Sequence, residues 1–252
     1  MSEFFHAAAY QPIYNLLIFL YDTIPGSDFG LAIIALTIFL KVLLIPLSQK
    51  QIESQKKLQE IQPKMKEIQK KYKDNREEQS RAMMAFYREN KVNPFSGCLP
   101  LIIQLIVLIV IYRVLYNISQ AGFVVSPEVL YSFVSNPHEI QRFFLSVLDL
   151  SKPSVLLAVM TGLAQYAQMK MMINRAELKK NALDKSKKSS KNTIEEKKEP
   201  DFAEIMTKQM LYVGPALTLF FGITFPSGIV LYWFVSTLFM IAQQWYLLER
   251  RA

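Results

Sequence analysis

Of the 252 residues only Cys98 is a cysteine, so no internal disulfide can form. Two histidines, His6 and His138, stand far apart and give no metal-ligand spacing. No glycine-rich loop is arranged to cradle a phosphate, and no nucleophile stands at a usable spacing from a base. These absences argue against a metal site, a cofactor and covalent catalysis, and the chain reads as a non-enzyme. Residues 1–28 contain no Lys or Arg. Without a basic start or a small-residue cleavage site, they are not a secretory signal. Residues 179–200 contain no aromatic residue, and they are rich in Lys and Ser and poor in apolar side chains. That composition predicts a mobile linker with no fold of its own. Its basic run could meet anionic lipid or RNA, but the interleaved Asp184, Glu195, Glu196 and Glu199 favour the plain linker.

What is present is apolar and basic, in separate places. Hydrophobic residues make up 51% of the chain and the net charge is +8. Five apolar segments are long enough, or nearly so, to cross a bilayer: 29–47, 98–117, 154–173, 208–225 and 227–246. Segment 48–97 holds twelve Lys and Arg and 174–205 holds nine, whereas 118–152 has only Arg142 and Lys152. Lys and Arg accumulate on the cytoplasmic side. The cytoplasmic parts are therefore 48–97, 174–207 and the tail 247–252, with 1–28 and 118–153 outside. Five spans put the termini on opposite sides, in agreement with the charges. The expected fold is an all-α polytopic membrane protein: five transmembrane helices, a cytoplasmic helical hairpin and an N-terminal interfacial helix. That last helix is 11–25, too short and too polar at Gln11, Asn15 and Asp22 for a sixth span.

Lys41 is the one charge inside 29–47, a stretch of about 28 Å as helix. A charge at the centre of a span costs about 2.5–3.5 kcal/mol on insertion scales. It calls for a cavity, a partner or a route by which the stem snorkels to the surface. Helical spacing places Thr37, Lys41 and Ser48 on one side of the first span, and this tips the reading toward a cavity open to the cytoplasm. Thr161, Gln165 and Gln168 share a face in the third span, and Ser236 and Gln243 share one in the fifth, with Tyr232 a turn earlier. Gln104 is the uncharged polar side chain deep in the second. Such residues either line a hydrophilic cavity or act as interhelical hydrogen-bond glue worth about 0.6 kcal/mol each. In the fourth span Gly214, Thr218 and Gly222 form a small-residue stripe, expected to pack against the fifth.

Between the first two spans, 49–91 reads as two polar helices with a turn at 73–76, and Pro63 should kink or break the first. Met65, Met83, Met84 and Phe86 give the pair an apolar strip, and Glu67 with Lys71 suggests a stabilising i, i+4 pair. Pattern alone serves a solvated linker and a docking surface equally, since flexible methionines suit promiscuous apolar contacts.

The stretches GLAIIALTIFLKVLLIPLSQKQ (30–51), LQEIQPKMKEIQKKY (58–72), MMAFYRENKVNPFSGCLPLIIQ (83–104), LDLSKPS (148–154) and FPSGIVLYWFVSTLFMIAQQW (225–245) carry a resemblance. The chain resembles the YidC family of membrane protein insertases, which includes the mitochondrial Oxa and chloroplast Alb proteins. The resemblance implies a five-helix core, a cytoplasmic hairpin, and a groove open to cytoplasm and lipid but closed outside. It places the family's groove cation, usually Arg, at Lys41, and a polar groove position at Gln104. Lys is a departure, since it can lose its charge and makes no bidentate contact. The large outer domain of many Gram-negative members and the long basic ribosome-holding tail of others are not seen in these 252 residues.

The expected function is insertion of nascent membrane proteins into the bilayer of a bacterial plasma membrane by a monomer. The Sec translocon and the ribosome are candidate partners. The rival is a small channel or transporter with a polar cavity, for which inverted repeats with broken helices would speak.

Overall fold

The computed structural model describes residues 3–90, 92–93, 99–188 and 202–249. Cys98, part of the expected linker and the last residues of the tail lie outside them. The helices are α1 (Glu3–Phe5), continued through a π-helical turn at His6–Tyr10, α2 (Gln11–Thr23), α3 (Phe29–Leu43), α4 (Ile45–Lys71), α5 (Arg76–Glu89), α6 (Leu99–Gln120), α7 (Val155–Lys188), α8 (Phe202–Gly222) and α9 (Ser227–Glu249). Strands β1 (Phe143–Phe144) and β2 (Leu148–Asp149) form an antiparallel hairpin between α6 and α7. Among the described residues, Ile102–Gln120 and Ser227–Tyr246 are long and apolar enough to cross a membrane, and Phe29–Leu43 and Leu211–Gly222 are shorter apolar helices.

The chain divides into two compact units, Met1–Lys41 with Val110–Ala252, and Val42–Ile109. In the first, the core draws on several helices: Leu17 and Ile18 of α2, Ile33 and Leu36 of α3, Ile111 and Ile118 of α6, Ala158 of α7, and Ile229 and Tyr232 of α9 are all buried. Tyr10, Tyr14, Leu17, Ile18 and Tyr21 recur at helical spacing and form one buried face. The polar groups of α2 are used on the connection that follows α6. Asn15 donates to Val129 O (2.9 Å) and accepts from Tyr131 N (2.6 Å), while Gln11 donates to Val129 O. Tyr14 and Tyr21 hydroxyls accept from the Ser126 and Gln141 amides, each at 2.9 Å. Burial pushes the Tyr14 phenol above its usual range, and the bond from Ser126 opposes this only in part. The helix expected simply to lie on a leaflet is thus fastened to protein along its polar positions.

The β1–β2 hairpin is fixed to both neighbouring helix starts. Asp28 caps α3 by accepting from Leu31 N through Oδ1, and its Oδ2 accepts from Leu145 N (2.6 Å). A Cβ on Gly30 would overlap the Phe144 side chain, so only glycine lets the hairpin approach here. At the start of α9, Ser227 donates through both Oγ and N to Lys152 O, and Gly228 N donates to Leu150 O.

Several expectations need correction. The stretch 29–47 is not one helix: it is interrupted at Leu44, and α4 starts with Pro46 in its first turn, where the missing N–H costs nothing. α7 runs on to Lys188, so 179–188 of the expected linker is helical. Ala182, Leu183 and the lysines of this stretch are good helix formers by intrinsic propensity. The small-residue stripe of α8 packs chiefly on α7, with α9 meeting it at Gly222, where an added Cβ would stand 3.7 Å from Val230. A Cβ on Gly222 would stand 2.8 Å from the Ala158 Cβ, and one on Gly214 would reach Met169. The neighbour in sequence is therefore not the closer neighbour in space.

In the second unit, α4 and α5 pack against each other across the turn at 72–75. The side chain of Asn75 caps α5 by accepting from Glu78 N, and Gln79 donates to Gln69 O (2.8 Å) from one helix to the other. α4 continues through Pro63 without the expected break. Among the described residues no ion pair joins Glu67 to Lys71. The i, i+4 pair that forms is Glu77–Arg81 at 2.7 Å, and Lys71 lies over the Tyr72 ring. Exposed pairs of this kind contribute only about 0.3–0.5 kcal/mol, so either arrangement is cheap.

Candidate functional site

Polar side chains on apolar helices gather most clearly between α7 and α9, which pack together. Gln168 and Ser236 are buried, and Thr237 Oγ1 reaches Gln165 Oε1 at 3.4 Å while also donating to Trp233 O. One turn up α7, Thr161 is fully buried and satisfied internally by Leu157 O. Gln243, half-buried on α9, has a buried Nε2 with no hydrogen-bond partner among the described residues. A buried amide donor left unmatched costs about 1–3 kcal/mol. This position on α9 therefore has capacity for a further acceptor, such as water or a polar group from another chain.

Thr237 escaped the sequence reading because the face through Ser236 and Gln243 was drawn with one residue per turn. The adjacent Ser–Thr pair in an apolar span was the available signal.

The expected first-span residues are distributed differently. Thr37 is fully buried and donates to Ile33 O at 2.6 Å, which satisfies it within its own helix. Lys41 is half-buried in the last turn of α3. Ser48 stands beyond the interruption at Leu44 and donates to that residue's carbonyl at 2.9 Å. Ser48 and the half-buried Gln104 belong to the second unit, and Thr37, Lys41, Gln165, Gln168, Ser236 and Gln243 to the first.

In the second unit Met65 is buried, Met83 accepts from Gln69, and Met84 is 55% exposed. Phe86 lines a cavity of about 270 Å³ with Lys64, Glu67, Ile68 and Lys71. Two cations, one acid and two apolar side chains suit an amphipathic segment rather than a small apolar ligand. Burial pushes the nearby Tyr87 phenol above its usual range.

Two helices long and apolar enough to cross a bilayer, among the described residues, fit a helical membrane protein. The family model described as 60Kd inner membrane protein matches residues 19–252. The chain belongs to that family. It is 32% identical over 221 residues to the membrane protein insertase YidC of Pelobacter propionicus, a match covering 88% of this chain and 35% of the relative. A YidC of Francisella tularensis subsp. novicida is 31% identical over 222 residues, covering 87% and 32%. The chain thus spans about a third of the length of these curated relatives. Among solved structures it is similar to one titled "Active YidC insertase crystal structure with the first transmembrane domain resolved". The TM-score is 0.58 at 24% identity, over 97% of this chain and 47% of that one, and the likeness speaks to the fold.

Proposed function

We propose that this protein inserts newly made membrane proteins into the bilayer through a polar groove between its apolar helices. The observation that carries the reading is the Thr237–Gln165 contact of the α7–α9 seam, with the unmatched Gln243 amide on α9, in a chain whose relatives are named insertases. The groove would receive the hydrophilic tail of a substrate, whose apolar segment then moves into lipid. Lys41 attracts acidic groups of that tail and lowers their desolvation cost. Gln104 and Ser48 are assigned to the groove on the resemblance alone.

In this reading five helices, α3, α6, α7, α8 and α9, cross the membrane. The α4–α5 pair is a cytoplasmic hairpin, and α2 with the α6–α7 connection lies outside. The C-terminus is cytoplasmic, as the Lys and Arg distribution favours. The protein acts as a monomer, in a bacterial plasma membrane, with the Sec translocon and the ribosome as further partners. The exposed Met84 and the Phe86 cavity are the hairpin's contact surface for clients.

The test is insertion of a single-span protein with an acidic tail into liposomes holding only this protein, scored by protection of the tail from protease. Protection is expected with wild type and with Lys41→Arg, and a clear reduction with Lys41→Ala. Unchanged protection in Lys41→Ala would remove Lys41 from the mechanism. Ion flux without any substrate polypeptide, and no protection, would replace the insertase with a channel.

A further inference from the structure

The β1–β2 turn is built against the usual chemistry of tight turns. In this three-residue loop Leu145 (φ 49°) and Ser146 (φ 60°), the central residues of the turn, both lie in the left-handed region that Asn and Gly ordinarily occupy. Val147 N closes the turn on Phe144 O at 3.0 Å. In place of small polar residues the tip presents Leu145, 60% exposed, and Val147, 86% exposed. A chain that puts branched apolar side chains on an exposed, conformationally costly tip has a use for them there.

The position of the tip indicates what that use is. Asp28 holds Leu145 N with one carboxylate oxygen and caps the start of apolar α3 with the other, so the tip sits level with the first residues of that span. Shortly along the chain, α7 opens with Val155 and Leu156, 67% and 73% exposed. Flanking the tip are Arg142 and Lys152, both exposed. They share a single carboxylate oxygen, Asp149 Oδ2, at 3.8 and 3.9 Å. Asp149 between them and Asp28 at the tip balance the two cations, so the apolar point is ringed by paired charges. An apolar wedge with a collar of charged side chains at the mouth of a span matches the acyl–headgroup boundary of a bilayer.

We propose that the β1–β2 turn is a lipid anchor: Leu145 and Val147 enter the leaflet at this end of the bundle, and Arg142 and Lys152 bind its anionic phosphates. The anchor rests on the reading of α3 and α7 as spans and requires no client polypeptide, so its test is separate from that of insertion.

A nitroxide is attached at Val147→Cys in a Cys98→Ser background, in vesicles of phosphatidylglycerol and phosphatidylcholine. Its relaxation by oxygen and by a water-soluble nickel chelate is compared with that of a label at Glu128→Cys, on an exposed turn of the same connection. Leu145→Cys serves as a second probe should Val147→Cys fold poorly. Lipid insertion predicts several-fold lower nickel accessibility than at Glu128 with oxygen accessibility kept high. Equal nickel accessibility at the two sites would overturn the anchor. Low accessibility to both agents would also overturn it, in favour of burial by protein such as a second copy. The charged collar predicts deeper seating in phosphatidylglycerol vesicles than in pure phosphatidylcholine, a difference lost in Arg142→Gln/Lys152→Gln. Identical depth in both lipids would remove the phosphate contact.

Discussion

Asn15 and Lys41 are both polar intrusions into apolar helices, and they meet different fates. Asn15 is buried and spends its amide on Gln11 O, Val129 O and Tyr131 N. Asn15→Ala strands the Tyr131 amide, while Gln11 still donates to Val129 O, and should destabilise the protein by about 1–3 kcal/mol. The checks are the thermal midpoint in detergent and hydrogen exchange at the Tyr131 amide, and an unchanged exchange rate would refute the role. Asp149 gives a pH prediction. Burial acts to raise its carboxyl, but hydrogen bonds from Ser151 together with Arg142 and Lys152 outweigh this and hold it below the usual carboxylate range. A depressed folded-state pKa means stability that is present above the unfolded value and lost as pH falls through the folded one. Protection of the 142–152 amides should therefore weaken only in acid below the ordinary carboxylate range, and Asp149→Asn should abolish that dependence. At this scale the sequence exposed which residues were out of place but not their partners. Gln11 and Asn15 stood out as too polar for a span, while the carbonyl they hold lies 118 and 114 residues away.

At the level of whole elements, periodicity identified the helices and misjudged two of their relations. The stripe Gly214, Thr218, Gly222 was legible as a close-packing face, because small residues four apart permit nothing else as well. Which helix it meets depends on the tertiary path, and α7 wins over the sequence neighbour α9. Gly222→Val should therefore push α7 and α8 apart and cost about 1–3 kcal/mol by overpacking. Ala158→Gly in the same molecule should recover part of the loss in thermal midpoint, and no recovery from it would contradict the assignment. The interruption at Leu44 was hidden for a different reason: Pro46 was read as the tail of one apolar run, although proline belongs equally to the first turn of a new helix. Gln165 with Gln168 on α7, and Ser236 with Gln243 on α9, each lie within one uninterrupted helix.

For the molecule as a whole, the segregation of charge from apolar residues was enough to expect a membrane protein, and the family match agrees. The proposed mechanism makes one further demand on the intact protein in a sealed vesicle. A potential positive outside favours outward movement of negative charge by about 2.3 kcal/mol per charge per 100 mV. Collapsing it should slow insertion of acidic-tailed substrates and leave neutral-tailed ones unaffected, and Lys41→Glu should show the same selectivity. Equal slowing of both substrates would argue against electrostatic capture.

The bonds that fasten α2 to the connection after α6 also set an order of events in time. They join residues 107 to 120 positions apart, from Asn117–Tyr10 to Gln141–Tyr21. At synthesis rates of about 5–20 residues per second, the first helix waits roughly 5–24 seconds before its partners exist. Throughout that interval Asn15 and the tyrosine hydroxyls must be served by water or lipid headgroups. The newborn chain is therefore itself a polypeptide with polar groups that need shelter at a membrane, and its last fastening closes only after α6 has been made.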